Sequence, residues 1–398
     1  MAASTDFFER RNPQAVLKHG ILTRYAVYFA GRAGRATAGR VAFIDGYAGE
    51  GRYADDSPGS PLLLASQAQR AKSFQRNVKL AFIEQDAGRM RQLAASLTAA
   101  GVEPDLLESK PFAEVAEGVL DRYRGHAVFL FVDPFGLAIS RATLDAILRR
   151  SSRTQPIDVL YHFSLSTVRR MGPVGIDPER DVTGCGQQLD RALGNIDWRS
   201  PFQGPLGPGD PTDAALEVAR RFGASVAQAS GKKVTAIPVR ARPNHLPSYL
   251  LMLMSFDEQA HWDFADLASS AHEEWLLQCD TDDYEANVRA DEESGVMQLF
   301  GPEPPSREAI SARIKADAAT ALAGNIESLL RAGGSVRPMD EIEKLYGDLL
   351  GIARVTHVRA ALRDLYRRGV IDEDARGDDF HKRSYQRAAP TNEPVYRD

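Results

Sequence analysis

The fold is decided at residues 41–51, which read VAFIDGYAGEG. The apolar run at 41–44 has the length and composition of a buried parallel strand. The small residues that follow it let backbone amides approach a ligand closely, as in nucleotide-binding α/β folds. The segment therefore predicts a strand that carries a ligand-binding loop to one edge of a sheet.

Similar apolar runs recur along the first 165 residues and alternate with helical patterns. The predicted buried strands are Val41 to Ile44, Val78 to Ile83, Ala127 to Val132 and Ile157 to Phe163. The predicted helices between them begin near Pro61, Ala87, Phe112 and Ala142. This alternation is typical of a parallel sheet covered by helices, so the predicted fold class is α/β.

Further elements are predicted on both sides of this core. A helix over residues 12–35 precedes the sheet, with Pro13 acceptable in its first turn. Residues 184–211 are rich in Gly and Pro and are expected to form a surface excursion. Val234 to Val239 and Tyr249 to Phe256 resemble an antiparallel pair of strands that closes the sheet.

The chain is long enough for two domains. The first is predicted over residues 1–300 and closed by a helix at about Phe264 to Leu277, and residues 301–308 read as a linker. Residues 309–390 contain three helical patterns followed by a possible hairpin, which suggests a winged helix. Arg359, Arg363 and Arg367 share one predicted helical face, either as a phosphate-binding stripe or as ordinary solvated surface.

Composition excludes several classes of protein. The 49 basic and 54 acidic residues give a net charge of −5, so a nucleic-acid contact requires a local basic patch. The two cysteines, Cys185 and Cys279, lie far apart, and we expect neither a metal site nor a disulfide framework. No apolar run of about 18 residues occurs, so we expect a soluble, cytoplasmic protein.

Two sequence features predict a nucleotide-like cofactor. The loop from Asp45 to Gly51 follows the first strand, and Glu84 ends the second, where a ribose hydroxyl can donate to its carboxylate. Glycine-rich turns are common at strand ends, and an isolated carboxylate is often a helix cap. Their order on consecutive strands favours the cofactor interpretation.

The stretch VFLFVDPFG, residues 128–136, places polar and aromatic groups at the same sheet edge. The side chain of Asp133 and the carbonyl of Pro134 can accept the hydrogens of an exocyclic amine, and Phe135 can stack on a planar base. This arrangement suits methylation of that amine. The alternative is that Asp133 caps a helix and Phe135 fills the core.

The motifs IDGYAGEGRY, SPGSPLL, FIEQD and FLFVDPFG resemble the three-Cys-motif partner protein family (TcmP) over most of the chain. That resemblance implies a Rossmann-like class I methyltransferase sheet and S-adenosyl-L-methionine as cofactor. It also implies a partner protein with three cysteines, similar to radical S-adenosylmethionine proteins. The two cysteines of this chain are not that motif.

A more distant likeness is to the ribosomal RNA adenine methyltransferase of the large subunit, through NPQAVLKHGIL, DGYAGEGRY and PGSPLL. It implies that Lys18 and His19 reach the methionine end of the cofactor while Glu84 holds the ribose. The loop Asp133 to Gly136 departs from the usual Asp-Pro-Pro-Tyr form. It looks like the loop of transfer RNA guanine dimethyltransferases, so the target base stays open.

The predicted function is S-adenosylmethionine-dependent methylation of an exocyclic base amine in nucleic acid, together with the three-cysteine partner. The predicted catalytic residues are Asp133, Pro134 and Phe135. The predicted cofactor-binding residues are Lys18, His19, Asp45, Gly46, Ala48, Gly49, Gly51 and Glu84. Tyr161, His162 and Ser166 are candidates for the acceptor cleft. Two alternatives remain, a non-catalytic cofactor-binding subunit that positions the partner and a dinucleotide-dependent oxidoreductase.

Overall fold

The computed structural model describes residues 13–152, 154–177, 179–203, 210–294 and 303–388. The chain divides into two compact units, residues 1–257 and residues 258–398. The first unit contains the sheet and the predicted site. The second is mainly helical.

The first unit alternates strands and helices. Its strands are β1 (Arg40–Asp45), β2 (Asn77–Ile83), β3 (Leu106–Glu108), β4 (Ala127–Val132), β5 (Ile157–Phe163), β6 (Lys233–Val239) and β7 (Tyr249–Ser255). Its helices are α1 (Pro13–Ala33), α2 (Ser60–Ala71), α3 (Ala87–Ala99), α4 (Phe112–Arg122), α5 (Arg141–Arg149), α6 (Leu165–Gly175), α7 (Cys185–Leu193) and α8 (Pro211–Ser230). The predicted strands and helices of the first 165 residues are therefore present, and β3 is an addition.

The strands of the first unit form a seven-stranded sheet within the described residues, in the order β3-β2-β1-β4-β5-β7-β6. Strands β1 to β5 pair in parallel, and β7 runs antiparallel to both β5 and β6. This is a Rossmann-like, mostly parallel sheet, so the predicted α/β fold class and the closing antiparallel pair are confirmed. The carboxyl ends of β1, β2, β4 and β5 meet at one edge.

Strand β4 lies at the centre of the sheet and is buried along its whole length. The ring of Phe129 packs 5.5 Å from Tyr25 and 5.8 Å from Phe29, both on α1. On the other face, Val128 and Leu130 join a core formed with the helices there. Because both faces are covered, the strand is apolar throughout instead of alternating.

The described part of residues 184–211 differs from the predicted surface excursion. Leu189 and Leu193 on α7 and the ring of Trp198 are fully buried in the main core. The Trp198 indole nitrogen donates to Asp190 at 2.8 Å, so its polar group is satisfied. This segment therefore completes the core; residues 204–209 lie outside the described residues.

The second unit begins earlier than predicted. Its helices are α9 (Glu258–Ser294), α10 (Arg307–Gly333), α11 (Ile342–Tyr346) and α12 (Val355–Arg367), and its strands are β8 (Ser335–Val336) and β9 (Tyr385–Gln386). The hydroxyl of Ser269 donates to the carbonyl of Ala353 at 2.7 Å, and Asp266 accepts from Arg354 at 2.8 Å. Helix α9 thus packs with the C-terminal residues, and the boundary lies at residues 257–258 instead of at 301–308.

Strands β8 and β9 pair antiparallel, and Ile371 forms an isolated bridge with Arg387. The bridge of Ile371 with Arg387 lies in the predicted hairpin region, whereas β9 pairs with β8, which precedes α11. Residues 389–390 of the predicted domain lie outside the described residues. None of the helices in the described part of the chain combines the length and apolarity that a bilayer crossing needs.

The packing of α6 makes one position a test of the fold. A side chain at Gly172 would collide with the ring of Phe202, whereas a Cβ at Gly118 on α4 would meet nothing within 4 Å. We expect Gly172→Ala to lower the free energy of unfolding by about 1–3 kcal/mol because the core is overpacked. The matched Gly118→Ala should raise it by about 0.5–1 kcal/mol through helix propensity. Urea denaturation of both variants measures the difference, and equal effects would contradict the packing described here.

Candidate functional site

The loop after β1 is fastened to both neighbouring strands by main-chain hydrogen bonds. The amide of Gly46 donates to the carbonyl of Phe131 at 3.0 Å, and the amide of Ala48 donates to the carbonyl of Ile83 at 2.9 Å. The loop therefore crosses the carboxyl edge of the sheet between β4 and β2. At Gly49, which has a φ of 63°, an added Cβ would meet nothing within 4 Å, so the backbone there borders open space.

The carboxylate of Glu84 supports this loop from below. Its side chain is almost fully buried, and its two oxygens accept the amides of Gly49 at 3.0 Å and Asp86 at 2.9 Å. Two donors on one carboxylate make strong, charge-assisted contacts. Glu84 thus fixes the glycine loop, and its predicted contact with a ribose stays a prediction.

A cavity of about 310 Å³ opens above the glycine loop. The predicted residues that line it are Lys18, His19, Ala48, Gly49, Gly51, Asp133, Pro134 and Phe135. The predicted residues Asp45, Gly46 and Glu84 are not part of its wall; they belong to the loop and to the layer beneath it. The glycine loop and the loop Asp133 to Gly136 (the DPFG loop) therefore face the same cavity.

An ion pair joins α1 to the DPFG loop inside this cavity. The ammonium of Lys18 lies 2.6 Å from Oδ2 of Asp133, and the two side chains are only 16% and 20% exposed. Burial opposes both charged forms, but the attraction outweighs it, so the pKa of Lys18 is raised and that of Asp133 is lowered. Asp133 is therefore held ionised by Lys18, and the helix-cap alternative does not describe it.

His162 lies beside the same carboxylate. Its Nδ1 is 3.7 Å from Oδ1 of Asp133 and has no hydrogen-bond partner among the described residues. Burial lowers the pKa of His162 to about 4; the charge of Asp133 opposes this shift and that of Lys18 adds to it. The imidazole is therefore neutral at pH 7.

Of the other two acceptor-cleft candidates, Ser166 and Tyr161, only Ser166 lies at the cavity. Ser166 lines the cavity as expected. The ring of Tyr161 instead points to the opposite face of the sheet, where it packs 5.9 Å from Phe222 in the core. Tyr161 is consequently excluded from the cavity, because successive residues of a strand face opposite sides.

Phe135 stands at the rim of the cavity with 54% of its surface exposed. The guanidinium of Arg89 lies 5.4 Å from the centre of its ring, and Arg89 also approaches Glu50 of the glycine loop at 3.7 Å. An exposed aromatic ring of this kind is not core filler. Its position permits stacking with a planar ligand.

Asp45 is completely buried. Its Oδ1 accepts the amide of Tyr47 at 3.1 Å, and its Oδ2 has no hydrogen-bond partner among the described residues. Burial raises the pKa of Asp45 to about 7. Near neutral pH this carboxyl group therefore changes between its neutral and charged forms.

Several residues at the α1 side of the cavity were not predicted as site residues. Tyr53 contacts Nε2 of His19 at 3.2 Å through its hydroxyl. The side-chain amide of Gln14 donates to the hydroxyl of Ser248 at 2.8 Å, and the hydroxyl of Tyr249 donates to the main-chain carbonyl of Gln14 at 3.3 Å. Tyr53 ends the motif DGYAGEGRY and Gln14 lies in NPQAVLKHGIL, but neither motif predicts these contacts, and Tyr249 reaches the cavity from β7.

In the second unit, two arginines of the predicted stripe face acids. Arg359 lies 3.6 Å from Asp378, and Arg363 lies 3.5 Å from Asp374. Both acids come from the segment that follows α12. The stripe is therefore partly neutralised within its own unit.

No protein-family model matches the chain, and no curated protein matches its sequence. Solved structures similar to it include the methyltransferase domain of a bacterial CtHen1, with 10% identity, a TM-score of 0.30 and coverage of 59% of this chain and 99% of that one. The plantazolicin methyltransferase BamL has 11% identity, a TM-score of 0.28 and coverage of 61% and 85%. TYW2 of P. horikoshii has 12% identity, a TM-score of 0.24 and coverage of 56% of this chain and 59% of that one.

The role of Glu84 in holding the loop can be tested by an isosteric change. Glu84→Gln keeps one acceptor but turns an amide group toward the second backbone N–H, which should cost about 1–3 kcal/mol of unfolding free energy. Glu108→Gln at the end of β3, where the carboxylate is only half-buried, is the matched control. We expect faster hydrogen exchange at Gly49 in the Glu84 variant alone. Equal exchange in both variants would refute the supporting role.

The buried carboxyl of Asp45 predicts a pH dependence of stability. Because its folded pKa of about 7 exceeds the ordinary value, the folded state holds a proton that the unfolded state has lost, and wild-type stability falls as pH rises toward 7. Asp45→Asn removes this penalty. Relative to wild type, the variant should gain about 2–3 kcal/mol between about pH 5 and about pH 8. Denaturation at both pH values measures it, and a constant difference would contradict the raised pKa.

Proposed function

We propose that the first unit is a methyltransferase that binds S-adenosylmethionine in the cavity above its glycine loop. The observation that carries the proposal is that Asp133, Pro134 and Phe135 line the same space as Gly49 and Gly51. In an open α/β sheet, ligands bind at the carboxyl ends of the strands, which is where this space lies. The sulfonium of the cofactor supplies an activated methyl group, and the protein supplies position and electrostatics.

The chain's own residues fit such a cofactor. A cavity of about 310 Å³ is within the range of small-molecule sites, and the backbone at Gly49 borders open space. The ammonium of Lys18 and the ring of His19 line the wall where the resemblance to the RNA adenine methyltransferases assigns the methionine end. Glu84 lies beneath the cavity wall and accepts the amide of Gly49, so it holds this lining residue in place.

The acceptor that suits the DPFG loop is an exocyclic amine of a nucleic-acid base. Asp133 is held ionised by Lys18 and can only accept hydrogen bonds, and the Pro134 carbonyl is a second acceptor. Accepting two amine hydrogens orients the nitrogen lone pair away from both oxygens. The exposed ring of Phe135 offers a stacking surface for the base.

The proposal extends to family, partner and location. The motif combination supports membership of the three-Cys-motif partner family and work with a three-cysteine radical-SAM-like protein in the cytoplasm. In the second unit, α10, β8, α11 and α12 precede β9, and this order supports a winged helix. Winged helices bind nucleic acid or proteins, so this unit is a candidate for contact with the target or with the partner.

Two variants separate the proposed roles at the ion pair. Asp133→Asn should lower methyl transfer about 100-fold or more, because the amine is misplaced, while leaving cofactor affinity nearly unchanged. Lys18→Met breaks the same ion pair but keeps the carboxylate, and should mainly weaken cofactor binding. Isothermal titration with S-adenosylmethionine and its demethylated product measures affinity. Transfer of labelled methyl to unmodified RNA and single-stranded DNA measures turnover.

The same experiments decide between this function and its alternatives. Normal turnover of Asp133→Asn would remove the catalytic assignment. Binding of S-adenosylmethionine without transfer, alone or with the three-cysteine protein, would favour the non-catalytic subunit. Tight binding of NADH in place of S-adenosylmethionine by well-folded wild type would favour the oxidoreductase.

A further inference from the structure

Methylation of an amine leaves one proton to be removed, and the cavity contains two groups beside the reaction loop that differ in their capacity to take it. Asp133 is ion-paired with Lys18 at 2.6 Å, so its carboxylate is stabilised in the charged form. A carboxylate held in this way is a good hydrogen-bond acceptor and a poor proton acceptor. His162 is a titratable group beside Asp133. Its Nδ1 lies 3.7 Å from Oδ1 of Asp133, which is farther than the ammonium of Lys18 lies from Oδ2.

The surroundings of His162 leave one ring nitrogen available. The side chain is 13% exposed and lines the cavity, and Nδ1 has no hydrogen-bond partner among the described residues. The ring packs 4.1 Å from that of Tyr249, which fixes its plane. A buried polar atom without a partner is uncommon in proteins and indicates a place for a ligand or a reacting group.

We propose that His162 is a catalytic residue whose Nδ1 accepts the proton released by the acceptor amine, while Asp133 orients that amine. This inference rests on the proposed methyltransferase function and assigns a step within it. Asp133 is charged and orients the amine, while His162 is neutral and accepts its proton.

The step balances without any further reactant. The acceptor nitrogen forms a bond to the methyl carbon as the carbon–sulfur bond breaks, and that electron pair stays on sulfur. The methylated nitrogen, now positively charged, keeps the hydrogen that the Pro134 carbonyl accepts and loses the one on the Asp133 side to Nδ1 of His162, which lies 3.7 Å from Oδ1 of Asp133. The imidazolium that forms lies 3.7 Å from the carboxylate of Asp133, which stabilises it until water takes the proton.

Three charged or titratable groups from different elements face His162 and set its proton affinity. Asp133 at the end of β4 favours the imidazolium, and Lys18 on α1 disfavours it. Tyr249 on β7 packs against the ring in a tilted arrangement and is neutral, since burial raises its pKa. Proton acceptance by His162 therefore depends on Asp133 staying ionised.

The first test needs no acceptor. Selective nitrogen-15 labelling of histidine, with assignment by loss of one signal in His162→Gln, reports the protonation of each ring nitrogen. We expect an unprotonated Nδ1 on His162 at pH 7, with and without S-adenosylmethionine. A protonated Nδ1 would overturn the proposal whatever the protein methylates.

The second test measures turnover. His162→Ala should lower methyl transfer to unmodified RNA or single-stranded DNA about 100-fold, and added imidazole should restore it about 10-fold by acting as the missing base. Cofactor affinity by isothermal titration should stay near wild type. His126→Ala, at the opposite end of β4, is the matched control and should retain wild-type turnover.

The outcomes distinguish a failure of the role proposed for His162 from a failure of the proposed methyltransferase function. Unchanged turnover of His162→Ala, or a loss that imidazole does not relieve, would overturn the role of His162 and leave the methyltransferase assignment standing. Absence of methyl transfer by wild type, with an unprotonated Nδ1, would instead count against the proposed function.

Discussion

The parallel pairing of β1 with β2 and β4 is the constraint on which the site depends. It brings the carboxyl ends of three strands to one edge, and two main-chain bonds continue the pairing past the end of β1 into the glycine loop. Because Gly46 is tied to Phe131 and Ala48 to Ile83, the loop has little freedom to move relative to the residues that follow β4 and β2. The DPFG loop and Glu84 take their positions from the same pairing.

Electrostatics then distinguishes groups that lie within a few ångströms of one another. The ammonium of Lys18 keeps Asp133 charged, while burial keeps His162 neutral. Asp45, deeper in the same edge, lacks a cation in hydrogen-bond contact and has its pKa raised instead. Similar side chains thus acquire different protonation states from burial and from the nearest charge.

Much of the first unit could be predicted because buried parallel strands are continuous apolar runs. Strand β3 was missed because it has only three residues, none of them fully buried. Tyr161 was assigned to the wrong face because a strand buried on both sides shows no polar alternation. The boundary at 257–258 was missed because α9 begins directly after β7, without the proline-rich linker that residues 301–308 suggested.

Site residues were predictable where a motif follows a strand and unpredictable where distant elements meet. The DPFG loop and the glycine loop can each be predicted from a short stretch of sequence that directly follows an apolar strand. The partner of Asp133 lies 115 residues away, and neither residue's sequence context specifies the other. Likewise, the motifs that contain Gln14 and Tyr53 do not specify the contacts of these residues at the cavity, and Tyr249 reaches the cavity from β7, far along the chain.

The ion pairs beneath α12 have a consequence for any polyanion that meets this face. Arg359 and Arg363 already have Asp378 and Asp374 as neighbours, so a phosphate backbone would have to displace carboxylates instead of neutralising bare cations. Few counterions would then leave the nucleic acid on binding, because their release requires uncompensated positive charge. An association through this face would consequently respond only weakly to ionic strength, and shape would contribute more to it than charge.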